Sequence, residues 1–130
     1  MEGESAIMVR RGEIYLADLG SGVGSEQKGE RPVIIVQNNK GNRYSPTVSV
    51  VPITTKIHKS AGMPTHVLLG KIAGLDMESA CMAEQVMTID KKRLIARIGK
   101  LPENVMSRDI AKALNIQLDL KVGKKRNGKD

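Results

Sequence analysis

Apolar positions along this chain come in short, interrupted runs, and their spacing changes once, near the C-terminus. Within residues 11–18, Ile14 and Leu16 alternate with Glu13, Tyr15 and Ala17, which predicts a first strand. Val33-Ile34-Ile35-Val36 is a β-branched run suited to a sheet interior and predicts a second strand over Pro32 to Gln37. Thr47-Val48-Ser49-Val50-Val51-Pro52-Ile53 predicts a third. The turn-forming residues Asn38 to Asn42 lie between them, so strands two and three are expected to pair as a hairpin. Further strands are expected at His66 to Leu69 and Ala80 to Ala83, with Gln85 to Ile89 continuing the sheet. Asp90 to Arg93 breaks it, and Leu94 to Gly99 reads as strand or turn. Beyond Pro102 the period changes. Met106, Ile110, Ala113 and Leu114 fall on one helical face, and Pro102 and Glu103 suit a helix start, so residues 102–118 are expected to be an amphipathic helix.

This pattern predicts a mainly β protein: a small, curved antiparallel sheet, barrel-like, closed by a C-terminal helix. At 130 residues the chain suits one domain, expected over 9–120. Residues 1–8 read as a mobile extension and residues 121–130 as a basic, disordered tail. No Phe, no Trp and two Tyr make the core aliphatic. Of the formal net charge of +7, the tail supplies more than half through Lys121, Lys124, Lys125, Arg126 and Lys129 against Asp130. A mildly basic domain with such a tail fits nucleic acid or an acidic protein partner. One cysteine excludes an internal disulfide framework and fits a reducing, cytoplasmic setting. No stretch approaches the ~20 apolar residues that cross a membrane.

Candidate chemistry concentrates where a glycine-rich loop, Leu19 to Arg31, meets the second strand. Gly24 and Gly29 flank Ser25, Glu26, Gln27 and Lys28; Pro32 then biases Arg31 toward extended backbone. The arginine stands at that seam with a planar fork of donors suited to phosphate. Nucleotide-binding motifs fail here. Gly20 and Gly22 lack the third glycine of the dinucleotide fingerprint and lead into a strand, and Glu30-Arg31 stands where a P-loop needs Lys followed by Ser or Thr. One Cys and two separated His offer no metal-ligand spacing, so no metal or cofactor is expected. Residue chemistry alone leaves other readings open: a rim ion pair of Arg31 with Glu26 or Glu30, a helix N-cap for Thr54, a hydrogen-bonded half-buried His66, and a solvated His58.

The blocks Glu13-Ile14-Tyr15-Leu16-Ala17-Asp18-Leu19, Gly24-Ser25-Glu26-Gln27 and Arg31-Pro32-Val33 resemble the MazF/PemK toxin family, closest to its Gram-positive branch. So do Gln37-Asn38, Gly41 to Thr47, Ile53-Thr54, Pro64-Thr65-His66-Val67, Glu84-Gln85 and Thr88 to Leu94. The resemblance covers residues 9–118. It implies an SH3-like barrel of the MazF/CcdB toxin type, a homodimer, and a ribosome-independent endoribonuclease cutting single-stranded RNA at short sequences. It also implies a cognate antitoxin whose acidic tail occupies the RNA groove. By position, Arg31 and Thr54 match the catalytic pair, and Glu26, Gln27, Thr65, His66, Glu84 and Gln85 match positions lining the groove. Without a metal, the neighbouring 2′-hydroxyl must attack the phosphate, and the resemblance implies 2′,3′-cyclic phosphate and 5′-hydroxyl ends. Arg31 then stabilises charge on the phosphate, Thr54 orients it, and Glu26 is the candidate to take the 2′ proton. The alternatives are a toxin of similar fold that inhibits DNA gyrase, for which a C-terminal Trp is expected and absent, and an SH3-like binding module.

Overall fold

The β-branched runs fold as strands packed on both faces of one sheet. The computed structural model describes residues 8–123. Most of the expected N-terminal extension and of the basic tail therefore lies outside the described residues. The strands are β1 (Glu13–Asp18), β2 (Glu30–Ile35), β3 (Thr47–Thr54), β4 (His66–Gly70), β5 (Ser79–Met82), β6 (Met87–Asp90) and β7 (Leu94–Lys100). They are ordered β4-β5-β3-β2-β1-β7, and β6 pairs with the first half of β3. Every pairing is antiparallel. Among the described residues the sheet does not close, since β4 and β7 remain as edges, so the barrel is an open one.

Alternation along β2 and β3 sorts their side chains into two cores. Ile34, Val51 and Ile53 join Ile14, Cys81, Leu101, Met106 and Ile110 on one face. Val33, Ile35, Val48 and Val50 join Tyr15, Ala17, Ile89 and Leu94 on the other. Each fully buried isoleucine or valine contributes about 1.5–3 kcal/mol relative to exposure, so these two strands form the rigid spine. The C-terminal helix covers the first core, with Met106, Ile110 and Ala113 buried as the spacing requires. Its winding differs from expectation: Val105–Ile110 is a π-helical segment that leads into α2 (Ala111–Leu118). An extra residue per turn of that kind leaves no mark in a 3.6-residue pattern.

Three further differences have local causes. The expected turn at Asn38 to Asn42 is instead a short helix, α1 (Asn39–Tyr44). The Asn38 side chain caps it by accepting from Gly41 N–H at 2.8 Å, a role for which turn-forming residues are equally suited. Ala83–Gln85 is a 3-10 turn and not strand, so β6 begins only at Met87. Arg31 lies inside β2, opposite Ala17 of β1, and not at a seam before the strand. The loop that precedes it is pinched at its base, where Leu19 N–H donates to Gly29 O and Gly29 N–H to Gly20 O. Gly20 and Gly29 hold φ of +77° and +73° there, which a side chain would strain.

Candidate functional site

The site exists because a strand pairing stops. The β2–β3 ladder runs from Ile35 opposite Val50 to Val33 opposite Pro52, and in the next pair Pro32 has no N–H to donate to Ile53 O. Two residues on from Val33 and Pro52, Arg31 and Thr54 would face each other on the same side of the sheet. Neither makes that pairing, and each keeps only its outer partner: Arg31 pairs with Ala17 of β1, Thr54 with Ala80 of β5. The sheet parts between them. Arg31 spans the gap with its side chain, Nε donating to Lys28 O at 3.2 Å and Nη1 to Ile53 O at 3.4 Å. Both acceptors are uncharged carbonyls, and among the described residues Arg31 forms no ion pair with Glu26 or Glu30. The remaining guanidinium donors are left for a ligand. Thr54 is not a helix cap: its Oγ1 accepts from Lys56 N–H at 3.1 Å, so the hydroxyl proton stays free to be donated.

The parting opens a cavity of about 530 Å³ lined by the glycine-rich loop on one side and residues 54–66 on the other. Glu26, Gln27, Arg31, Thr54 and His66 all line it. So do Lys28, Lys56 and Lys59, which among the described residues gives four cations against one carboxylate. Positive charge concentrated in a low-dielectric cleft attracts and orients anions. One oxygen of Glu26 accepts from Val23 N–H at 2.7 Å, which ties its carboxylate to the loop. Cys81 is buried outside the cavity lining, and burial pushes its thiol up to about 12, so it offers no thiolate.

Thr65, Glu84 and Gln85 stand beside the cavity and reach it through hydrogen bonds. His66 is held at both nitrogens, Nδ1 by Ser60 Oγ at 2.8 Å and Nε2 by Glu84 Oε2 at 2.7 Å. The other Glu84 oxygen accepts from Thr65 Oγ1 at 2.9 Å. Burial pushes the Glu84 carboxyl up, but the hydrogen bonds from His66, its own backbone and Thr65, with the His66 charge, outweigh that and hold it below its ordinary range. Gln85 Nε2 donates to Ser25 O at 3.3 Å, so the turn Ala83–Gln85 brackets both walls of the site. His58 is exposed and takes no part.

Sequence reasoning missed Ser60, Lys56 and Lys59. Ser60 is buried although it sits in a polar run, and nothing local marks it. The lysines did carry a signal, a three-residue spacing just past Thr54, but the segment read as solvated loop.

Fold and site together define a small antiparallel-sheet protein with an open cationic groove fitted to a flexible anion. Residues 10–118 match the family described as PemK-like, MazF-like toxin of type II toxin-antitoxin system, and the chain belongs to that family. Among solved structures it is similar to an endoribonuclease in complex with its cognate antitoxin from a mycobacterial species. That similarity has 29% identity and a TM-score of 0.71 over 88% of this chain and 99% of that one. The Mycobacterium tuberculosis toxin MazF-mt6 is 26% identical, with a TM-score of 0.70 over 85% of this chain and 99% of that one. MazF from Deinococcus radiodurans shares the fold at 20% identity, with a TM-score of 0.74 over 88% of this chain and all of that one.

The Glu84 bonds make an acid-side prediction. Its carboxyl titrates lower folded than unfolded, so its contribution is full above the ordinary value near 4.5 and lost as pH falls through the folded value. Thermal melts from pH 7 to pH 3 should show Glu84→Gln less stable than wild type at neutral pH, and the difference shrinking at the acid end. A difference that stays constant across that range would contradict the assignment.

Proposed function

We propose that this protein is an endoribonuclease toxin that cuts single-stranded RNA at short sequences, with the scissile phosphate held by Arg31 and Thr54. The observation that carries this reading is the guanidinium fixed by two backbone carbonyls at the mouth of a cationic cavity, across from a hydroxyl whose proton is free. Family membership supports it, as does the likeness to a mycobacterial endoribonuclease. A side chain already oriented before the substrate arrives spends little free energy on reorganisation, which is what charge stabilisation in a transition state requires.

The residues divide the work as follows. The 2′-oxygen of the nucleotide before the cut attacks phosphorus while its proton passes to the Glu26 carboxylate. Charge grows on the non-bridging oxygens, where Arg31 donates two hydrogen bonds and Thr54 one. The bond from phosphorus to the 5′-oxygen breaks, and that oxygen takes a proton from water in the groove. A 2′,3′-cyclic phosphate and a 5′-hydroxyl result. No step needs a metal ion, and the cavity's one carboxylate and one doubly bonded imidazole make a poor ligand set. Single strands suit the site because their bases can be splayed out and read at their edges. With few aromatic rings to stack on, Gln27, Gln85 and Glu84 would read those edges by hydrogen bonding.

The partners follow from the same groove. An acidic antitoxin segment would occupy it in place of RNA, a reading supported by the relative solved with its cognate antitoxin. A second copy of the chain would cover exposed Ile116, Leu118 and Leu120 at the end of the C-terminal helix. The working compartment is the cytoplasm, where RNA and reduced thiols coexist; among the described residues no helix is long and apolar enough to cross a membrane.

Two measurements test these assignments. Arg31→Ala, assayed on single-stranded RNA with EDTA present, should lose about 10²-fold or more of kcat while its melting temperature shifts little. Near-full activity in that variant, or no wild-type activity in EDTA, would overturn the mechanism. Light scattering at micromolar concentration should return a dimer mass; a monomer mass refutes the homodimer.

A further inference from the structure

The segment from Lys56 to Met63 is more ordered than a solvated loop needs to be. Thr54 Oγ1 accepts from Lys56 N–H, Lys59 N–H donates to Lys56 O at 3.2 Å, and Ser60 N–H donates to Ile57 O at 2.9 Å. The turn is then anchored from beneath, because Ser60 is buried and bonded to His66, which is bonded to Glu84. His66 is itself only 6% exposed at its side chain. Lys56 stands just before the 3-10 turn Ile57–Lys59 and Lys59 ends it, so the two lysines flank one short ordered turn. Both residues line the cavity. Among the described residues neither lysine takes part in an ion pair.

We propose that Lys56 and Lys59 form a second phosphate subsite, which binds the backbone phosphate adjoining the scissile one in single-stranded RNA. The inference rests on the endoribonuclease reading above and extends it to how the polymer is held. Arg31 and Thr54 already account for the scissile phosphate, and a polynucleotide brings a neighbouring one whichever bond is cut. Lysines act as mobile point charges without the forked geometry of arginine. They suit a phosphate whose position varies with the flanking nucleotide. The chain Ser60–His66–Glu84 acts on this subsite at one remove, by fixing the turn that carries both lysines.

Binding to a phosphate releases counterions, so the salt dependence of affinity counts phosphate contacts. The probe is an RNA oligonucleotide carrying a 2′-O-methyl group at the cut, which binds without being cleaved, with the unmodified oligonucleotide run alongside for cleavage. For the double variant Lys56→Gln/Lys59→Gln, the slope of log Kd against log salt should be shallower by about 0.7, one phosphate on a single strand. A methylphosphonate at one of the two linkages next to the cut should lower the wild-type slope equally and leave the variant's unchanged. Wild-type cleavage with an unaltered variant slope overturns the subsite alone. No cleavage by the wild type overturns the endoribonuclease reading and the subsite with it. Weaker binding of an oligoglutamate peptide by the variant, with RNA binding unaltered, would assign the lysines to an acidic partner and also overturn the proposal.

Discussion

One interrupted ladder governs this protein. Where β2 reaches Pro32 the ladder to β3 loses the N–H that Ile53 O would accept, and beyond it each strand keeps only its outer partner, β1 or β5. A continuous sheet would have closed over Arg31 and Thr54 and left no cavity. The parting is held open at low cost because both strands are buried on two faces up to that point, so their free ends are placed by a rigid spine. Arg31 bridges the gap through Lys28 O of the loop and Ile53 O of β3, which orients the guanidinium and satisfies the Ile53 carbonyl that the broken ladder leaves without a donor from β2. The feature that weakens the sheet is the one that presents the chemistry.

Around that gap the electrostatics are one-sided by arrangement. Lys28, Arg31, Lys56 and Lys59 converge on the cavity with Glu26 as the lining carboxylate. Glu84, a second acid nearby, is taken up by Thr65 and His66. The hydrogen-bonded chain from Ser60 to Thr65 therefore has two consequences: it stiffens one wall, and it keeps a carboxylate from moving across to neutralise the cations. Charge and rigidity come from the same few bonds.

How much of this was legible in the residues follows from how local each signal is. Strands β1 to β3 were visible because β-branched runs and alternation are short-range patterns, and the pairing of β2 with β3 followed from the turn residues between them. Arg31 and Thr54 were found as candidates by loop composition and by the family resemblance. Their juxtaposition was not, because Pro32 read only as a bias on Arg31 toward extended backbone, and its missing N–H has meaning only once the partner strand is known. The bonds from Ser60 to His66 and from His66 to Glu84 join residues 6 and 18 apart in the chain, and no pattern in either segment announces them. The helix at Asn39–Tyr44 was missed for a different reason: asparagine serves turns and helix caps equally well.

The central claim is that the RNA supplies its own nucleophile and the protein supplies fixed charge. Substituting a single 2′-deoxy nucleotide at the cleavage position of an otherwise unchanged RNA oligonucleotide tests it most directly, with products read by mass spectrometry. The account predicts that cleavage at that bond stops while the oligonucleotide still binds, and that the unsubstituted RNA yields a 2′,3′-cyclic phosphate. Continued cleavage at the deoxy position, or a linear phosphate as the first product, would contradict it.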